Sequence, residues 1–192
     1  MPGNLIYLMG PSGSGKDSLI EAARHSLAER GCEVMRRVIT RSAESVGEDA
    51  QGVSAQAFEA LKEQGAFALH WQAHGLSYGI TTLLDDYLRQ GRHVLVNGSR
   101  AHLEQARQRY PDLVAVMLCV STEVLHERLL KRGRETPEQI RQRLQRNQLF
   151  LEGMPRHEAE AIKVLDNSGS LTVAVQGLLA LIDHGVDYPA SA

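Results

Sequence analysis

One glycine-rich segment near the start of the chain constrains the fold more than any other feature. It is Gly10-Pro11-Ser12-Gly13-Ser14-Gly15-Lys16-Asp17, and Ser18 follows it. An apolar run typical of a buried strand, Leu5–Met9, precedes the segment, and residues 18–24 after it have helical composition. A glycine-rich turn between a strand and a helix points several backbone N–H groups at one anion, and the helix N-terminus adds partial positive charge. The sequence therefore predicts a nucleotide site over residues 10–18, in which Lys16 reaches the β- and γ-phosphates.

Composition limits the partners and the compartment. The net charge is −2, from 21 basic and 23 acidic residues, whereas nucleic-acid binding usually needs a basic excess. No apolar run approaches the ~20 residues of a membrane span, and the four residues before the first strand leave no room for a signal peptide. Cys32 and Cys119 fit no metal-ligand spacing and are expected to be reduced thiols. We expect a cytoplasmic protein with no nucleic-acid or membrane partner, and the oligomeric state stays open.

Strands and helices alternate along most of the chain, which predicts an α/β fold with a parallel sheet wrapped by helices. Apolar runs predict strands over residues 5–9, 33–39, 93–97, 113–120 and 161–165. Periodicity and capping signals predict helices over residues 17–30, 81–90, 99–109, 122–131, 136–152 and 171–184.

The region from about residue 36 to 80 departs from this alternation. It contains a polar loop over residues 40–52, a short helix capped by Ser54 and two short strands between residues 66 and 78. We expect one domain over residues 1–192, with a core of about 1–35 and 81–192 and a small acceptor-binding lobe of about 36–80.

Several short motifs resemble those of guanylate kinase in order and spacing. Besides the glycine-rich loop, they are Ile39-Thr40-Arg41, Val53-Ser54, Trp71, Ser77-Tyr78-Gly79, Arg128, Arg132-Gly133 and Arg143. The resemblance covers nearly the whole chain and implies a P-loop NTPase fold with a lid over about residues 128–146. Within that superfamily, Gly15-Lys16-Asp17 and the segment over residues 94–101 are similar to ribose 1,5-bisphosphate phosphokinases, which act in phosphonate catabolism.

Three departures from guanylate kinase separate these two families. His70 stands where guanylate kinases carry a base-binding Glu, residues 49–52 lack their phosphate-binding Tyr, and Asn97-Gly98-Ser99 replaces an Asp-x-Asp. A site that has lost its base-pairing polar groups discriminates poorly for guanine, and a sugar bisphosphate has no base to recognise. The resemblance thus implies ATP-dependent phosphorylation of ribose 1,5-bisphosphate to 5-phospho-α-D-ribose 1-diphosphate. The alternatives are a guanylate kinase with altered base contacts and a non-catalytic guanylate kinase-like binding module.

The resemblance also implies roles for individual residues. Lys16, Arg128, Arg132 and Arg143 would neutralise the transferring phosphoryl group, with Arg134 nearby, and Asn167 would meet the adenine of ATP. Arg37, Arg41, Tyr78, Asn97 and Arg100 would bind the acceptor. Arg37 is equally consistent with a solvated strand end, and Tyr78 with a packed aromatic side chain.

Asp17 stands where relatives carry a Ser or Thr that ligates Mg²⁺. Because the strand-end carboxylates are replaced at Asn97, the negative charge that serves Mg²⁺ would have moved to Asp17. The alternative is that Asp17 only favours the N-terminus of the first helix, an effect of roughly 0.3–1 kcal/mol.

Overall fold

The computed structural model describes residues 3–40, 49–133, 135–152 and 161–184, with only the backbone for 149–152. Its strands are β1 (Leu5–Met9), β2 (Cys32–Val34), β3 (Arg37–Ile39), β4 (Ala50–Gly52), β5 (Phe67–Ala73), β6 (Leu76–Thr81), β7 (His93–Asn97), β8 (Val114–Cys119) and β9 (Ile162–Asp166). Its helices are α1 (Lys16–Glu29), α2 (Ala55–Glu63), α3 (Leu83–Arg89), α4 (Leu103–Arg109), α5 (Thr122–Arg132), α6 (Pro137–Glu152) and α7 (Leu171–Asp183).

The larger sheet has five strands in the order β2-β7-β1-β8-β9. β2 pairs with β7 and β8 with β9, both in parallel. Every residue of β1 is buried, as are four of the five in β7 and five of the six in β8. Strands buried along their whole length are typical of a parallel sheet covered by helices on both faces, which confirms the predicted α/β class.

The smaller sheet has four strands in the order β4-β3-β6-β5. β5 and β6 form an antiparallel hairpin that places Trp71 opposite Tyr78. Its two turn residues, His74 and Gly75, have φ of 53° and 76°, as the twist of a tight hairpin requires. The two strands predicted between residues 66 and 78 are therefore confirmed.

Three predictions about elements are wrong. The single strand over residues 33–39 is divided into β2 and β3, which belong to different sheets. The loop over residues 40–52 contains β4, which pairs in parallel with β3. Ser99 makes no side-chain cap, and a 3₁₀ turn, Arg100–His102, precedes α4. Both backbone groups of Ser99 bond the Tyr7 hydroxyl.

Local capping signals are confirmed where they were strongest. At the start of α6, the Thr136 N–H donates to Gln139 Oε1 at 2.8 Å and the Gln139 N–H donates to Thr136 Oγ1 at 3.3 Å, which is a capping box. Ser54 accepts from the Ala57 N–H at the start of α2, and Gly133 ends α5 with a φ of 63°. No helix among the described residues is long and apolar enough to cross a membrane.

The chain divides into two compact units. Unit 1 comprises Met1–Tyr7 and Arg24–Val114, and unit 2 comprises Leu8–Ala23 and Ala115–Ala192. In unit 1 the small sheet packs on α2 through Phe58 and Phe67, whose ring centroids are 4.7 Å apart. In unit 2, Leu125 and Leu129 of α5 pack with Ile140 of α6.

Candidate active site

The glycine-rich loop of unit 2 has the geometry expected of a phosphate cradle. Gly13 and Gly15 have φ of 96° and 91°, in the left-handed region that favours glycine. The loop closes through a bond from the Ser14 N–H to the Pro11 carbonyl at 3.1 Å. The ammonium of Lys16 donates to the carbonyls of Gly10 at 2.8 Å and Pro11 at 3.2 Å. A cation and the first turn of α1 therefore lie at the loop.

The carbonyl of Ser14 is the point at which the rest of unit 2 holds this loop. It accepts from Asn167 Nδ2 at 2.7 Å and from Arg128 Nη1 at 3.2 Å. Arg128 Nη2 also donates to the Asn167 carbonyl at 2.8 Å, which links the two donors. A Cβ on Gly15 would lie 2.7 Å from Asn167 Nδ2, so this approach needs a glycine. The loop is thus fixed by α5 and by the residue after β9.

Asn167 is itself fastened by backbone contacts. Its N–H donates to the Cys119 carbonyl at 2.8 Å, and Ser168 Oγ accepts from the Ser121 N–H at 2.8 Å. The segments that follow β8 and β9 are therefore joined to each other, and Asn167 is 2% exposed. The structure thus places Asn167 against the Ser14 carbonyl.

A cavity of about 380 Å³ opens beside this loop. Its lining consists of Gly13, Gly15, Ser18, Arg128, Lys131, Arg132, Asn167 and Leu171. Three of these side chains are cationic, which suits a polyanion such as a nucleotide phosphate chain. Asp17 lies exposed in the first turn of α1.

One of the predicted arginines, Arg143, is not part of this cavity lining. It forms an ion pair with Glu135 at 2.5 Å. Arg134 lies outside the described residues.

A second group of predicted residues meets in unit 1. The guanidinium of Arg37 on β3 lies 5.0 Å from the centre of the Tyr78 ring on β6. Arg37 Nη1 also donates to the carbonyl of Asn97, the last residue of β7, at 3.3 Å. Arg100 begins the 3₁₀ turn that follows, and Arg41 lies outside the described residues. The structure therefore brings Arg37, Tyr78 and Asn97 together.

An aromatic stack extends this group. Trp71 stacks on Tyr78, with centroids 5.5 Å apart and planes 6° apart, and His102 stacks on Trp71 at 5.5 Å. Burial lowers the pKa of His102 below its usual value, so the neutral imidazole is favoured. A cavity of about 620 Å³ lies beside this stack, with His70, Ser77, Ser99 and Gln105 in its lining.

Sequence reasoning missed two residues next to this group. Tyr7 is fully buried in β1, and its hydroxyl forms hydrogen bonds with both the N–H and the carbonyl of Ser99. Burial raises the pKa of Tyr7 to about 12. The signal was available, because a tyrosine inside a buried aliphatic strand must find a partner for its hydroxyl. His102 carried no comparable signal, since its role depends on stacking with a residue 31 positions away.

Comparison with known proteins agrees with this geometry. A protein-family model described as an AAA domain matches residues 6–160. The ribose 1,5-bisphosphate phosphokinase PhnN of Pseudomonas paraeruginosa is 59% identical over 180 residues, covering 94% of this chain and 95% of that protein. The protein of the same name from Pseudomonas fluorescens is 57% identical over 185 residues, covering 96% and 97%. This chain belongs to the ribose 1,5-bisphosphate phosphokinase family.

Solved structures place this phosphokinase family among known folds. A guanylate kinase from Anaplasma phagocytophilum superposes with a TM-score of 0.68 at 19% identity, covering 95% of this chain and 85% of that chain. A gluconokinase from Sinorhizobium meliloti gives 0.52 at 21% identity, covering 95% and 93%. At such identities the likeness concerns the fold alone, and it confirms the predicted guanylate kinase-like architecture.

The three departures from guanylate kinase have clear positions in this member of the phosphokinase family. His70 is exposed on β5, and Ala50–Gly52 form the edge strand β4. Asn97 is 6% exposed at the end of β7. None of these positions carries the carboxylate or the tyrosine that guanylate kinases have there.

Proposed function

We propose that this protein transfers the γ-phosphoryl group of ATP to ribose 1,5-bisphosphate. The products are 5-phospho-α-D-ribose 1-diphosphate and ADP, and the reaction serves phosphonate degradation in the cytoplasm. The observation that carries this proposal is the sequence identity of 57–59% with proteins named ribose 1,5-bisphosphate phosphokinase, over at least 94% of the chain. The residues of both units supply a consistent chemical account.

ATP would bind in unit 2. The loop N–H groups and Lys16 would hold the β- and γ-phosphates. The Nζ of Lys16 already lies at the loop, 2.8 Å from the carbonyl oxygen of Gly10. Arg128 and Arg132, which line the adjoining cavity, would add positive charge along the phosphate chain. Asn167 would lie near the adenine. Arg143 would join the group as part of a lid over about residues 128–146, exchanging its ion pair with Glu135 for a phosphate oxygen.

The residues near Lys16 also fit a magnesium ion. Mg²⁺ prefers hard oxygen ligands, and the carboxylate of Asp17 and the hydroxyl of Ser18 lie exposed in the first turn of α1. Bound there, the ion would neutralise charge between the β- and γ-phosphates. We therefore retain Asp17 as the proposed metal ligand.

The acceptor would bind in unit 1, in the lobe of about residues 36–80 and the turn after β7. Arg37, packed over the Tyr78 ring, would grip the 1-phosphate with its planar fork, and the Tyr78 hydroxyl would donate to the same group. Arg41, Asn97 and Arg100 complete the proposed acceptor set.

The reaction needs charge neutralisation and positioning more than acid–base catalysis. An oxygen of the 1-phosphate attacks the γ-phosphorus of ATP while the bond from that phosphorus to the β,γ-bridging oxygen breaks, so ADP leaves with the electron pair. The attacking oxygen is already anionic at neutral pH, and no general base is required. A His or Glu poised as a base is therefore not part of the proposal.

A coupled ADP-release assay with purified protein, ATP and Mg²⁺ tests the proposal. Ribose 1,5-bisphosphate should release ADP far faster than GMP or buffer does, and Lys16→Ala should abolish that release while thermal stability stays near wild type. ADP release with GMP at a comparable kcat/KM would instead support a guanylate kinase.

The magnesium assignment has its own test. Asp17→Ser restores the hydroxyl of the usual motif, and Asp17→Asn removes only the charge. If Asp17 serves the metal, Asp17→Asn should need about tenfold more Mg²⁺ for half-maximal rate, because a carboxylate ligand is lost. Unchanged Mg²⁺ dependence in both variants would leave Asp17 as a helix N-terminal charge only.

A further inference from the structure

The turn that follows β7 is held by one buried hydroxyl. Tyr7 is 0% exposed in β1, and its Oη donates to the Ser99 carbonyl and accepts from the Ser99 N–H, both at 3.0 Å. Ser99 is extended, with φ −105° and ψ 134°. An extended residue presents its N–H and C=O along one edge, and a neighbouring antiparallel strand normally binds both. The Tyr7 hydroxyl thus makes, for this single residue, the two hydrogen bonds that a neighbouring strand would make.

Gly98 allows this contact to form. A Cβ at position 98 would lie 2.2 Å from Tyr7 Cζ and 2.4 Å from Cε1, far inside van der Waals contact. The turn therefore lies directly on the hydroxyl-bearing end of the ring. Gly98 does not require a positive φ, so a glycine is needed there for space and not for backbone conformation.

The residues on either side of Ser99 belong to the acceptor group. Before it, the Asn97 carbonyl accepts from Arg37, which packs over Tyr78. After it, the Ser99 carbonyl also accepts from the His102 N–H at 3.1 Å and so starts the 3₁₀ turn that contains Arg100. The position of Ser99 therefore determines where the Asn97 carbonyl that holds Arg37 lies and where the 3₁₀ turn that contains Arg100 begins.

We propose that Tyr7 is a positioning residue for the acceptor, whose hydroxyl holds the Asn97–Arg100 turn in the arrangement that binds the sugar bisphosphate. This inference rests on the proposed function, since the acceptor set is part of that proposal. Tyr7 contacts no substrate itself. It acts through Ser99, and the high pKa that burial gives it keeps the hydroxyl protonated across the working pH range.

Tyr7→Phe is the decisive variant, because it removes the hydroxyl and leaves the ring packed on Gly98. Two hydrogen bonds at the turn are lost, so the KM for ribose 1,5-bisphosphate should rise about tenfold or more, while the KM for ATP changes less than twofold. Tyr110→Phe is the matched control. It also removes a partly buried tyrosine hydroxyl, one that donates to Asp85 at 2.6 Å in unit 1 and outside the acceptor group. Both KM values of Tyr110→Phe should match wild type.

A purely structural role for Tyr7 would give a different result. Tyr7→Phe would then either leave both KM values unchanged or raise them equally, and either outcome overturns the proposal whatever happens to the melting temperature. Gly98→Ala provides a second variant, since it pushes the turn off the ring and should raise the same acceptor KM. An unchanged acceptor KM in Gly98→Ala would also contradict the proposal.

Hydrogen exchange of the Ser99 amide tests the contact without substrate. Tyr7→Phe deprives this amide of its acceptor, so it should exchange at least about tenfold faster than in wild type, while amides of α5 keep their rates. Equal exchange would reject the contact itself. If the wild-type protein fails to turn over ribose 1,5-bisphosphate, the proposed function fails, and the exchange result still decides whether Tyr7 holds the turn.

Discussion

At the scale of single residues, both candidate sites are organised by backbone carbonyls that accept two bonds each. Ser14 accepts from Asn167 and Arg128 in unit 2. Ser99 accepts from Tyr7 and His102 in unit 1. A buried carbonyl that loses one of its two donors still has one hydrogen bond, but its direction is no longer fixed. Ligand affinity should therefore fall more than the free energy of unfolding does.

Asn167→Ala tests this idea in the nucleotide site. The Ser14 carbonyl loses its shortest bond, at 2.7 Å, and the loop loses one of its two anchors. We expect the KM for ATP to rise about fivefold to twentyfold with the acceptor KM unchanged, as steady-state kinetics would record. Asn4→Ala is the control, because Asn4 bonds His93 through its backbone N–H. Equal effects of the two variants on the KM for ATP would contradict the account.

The sequence predicted some of these residues and not others, for physical reasons. Gly13, Gly15 and Lys16 were predictable because a phosphate loop is a local structure whose requirements are all in one short segment. The contact of Arg128 with Ser14 joins residues 114 positions apart, and no local pattern encodes it. Tyr7 is an intermediate case, because its burial was predictable from the sequence and its hydrogen-bond partner was not.

At the scale of elements, local signals predicted the capping box of α6 but not which sheet each strand joins. The capping box of α6 is complete because its two bonds lie within four consecutive residues. By contrast, the run over residues 33–39 has uniform strand character, yet β2 pairs with β7 while β3 pairs with β4 and β6. Which sheet a strand joins is a tertiary property, so no local propensity could divide this run at Met35 and Arg36.

Thr136→Ala should measure the capping box of α6. The variant loses the bond from the Gln139 N–H to the hydroxyl, and we expect the free energy of unfolding to fall by about 0.5–2 kcal/mol in urea titration. Thr122→Ala serves as its partner, because Thr122 opens α5 while Ser121 provides the cap there. A fall in the free energy of unfolding no larger than that of Thr122→Ala would show that the capping box adds no stability.

At the scale of the whole molecule, buried groups that resist ionisation link stability to pH. Burial raises the pKa of Cys32 from 9.0 to about 12, and it raises those of Tyr7 and Tyr110 from 10.0 to about 12. In each case the folded pKa lies above the unfolded one. The unfolded chain therefore loses its protons first, and the stability that these groups contribute is complete below pH 9 and is lost as the pH rises towards 12.

Urea unfolding at several pH values checks this link. The free energy of unfolding should be nearly level from pH 7 to 8 and then fall above pH 9, by at most about 1.4 kcal/mol per pH unit for each titrating group. Cys32→Ala should unfold more easily at pH 7, since Cys32 is 2% exposed, but its stability should fall less steeply between pH 9 and 10. If the free energy of unfolding of Cys32→Ala fell with pH as steeply as that of wild type, the thiol would be ruled out as a source of the pH dependence.

Each unit carries one half of the proposed chemistry. Unit 2 contains the phosphate loop and its cationic cavity, and unit 1 contains Arg37, Tyr78 and the Asn97–Arg100 turn. The α/β class followed from the alternation of strands and helices, whereas the composition of the two units follows from tertiary contacts. The central claim is that the acceptor half binds a sugar bisphosphate and has lost the recognition of guanine.

A competition experiment measures that claim most directly. Ribose 1,5-bisphosphate and GMP at equal concentration would share one reaction with limiting ATP and Mg²⁺, and ³¹P NMR would identify the diphosphate formed. We predict that the diphosphate resonances of 5-phospho-α-D-ribose 1-diphosphate and of ADP accumulate while GDP stays undetected. Accumulation of GDP at an equal or greater rate would contradict the account.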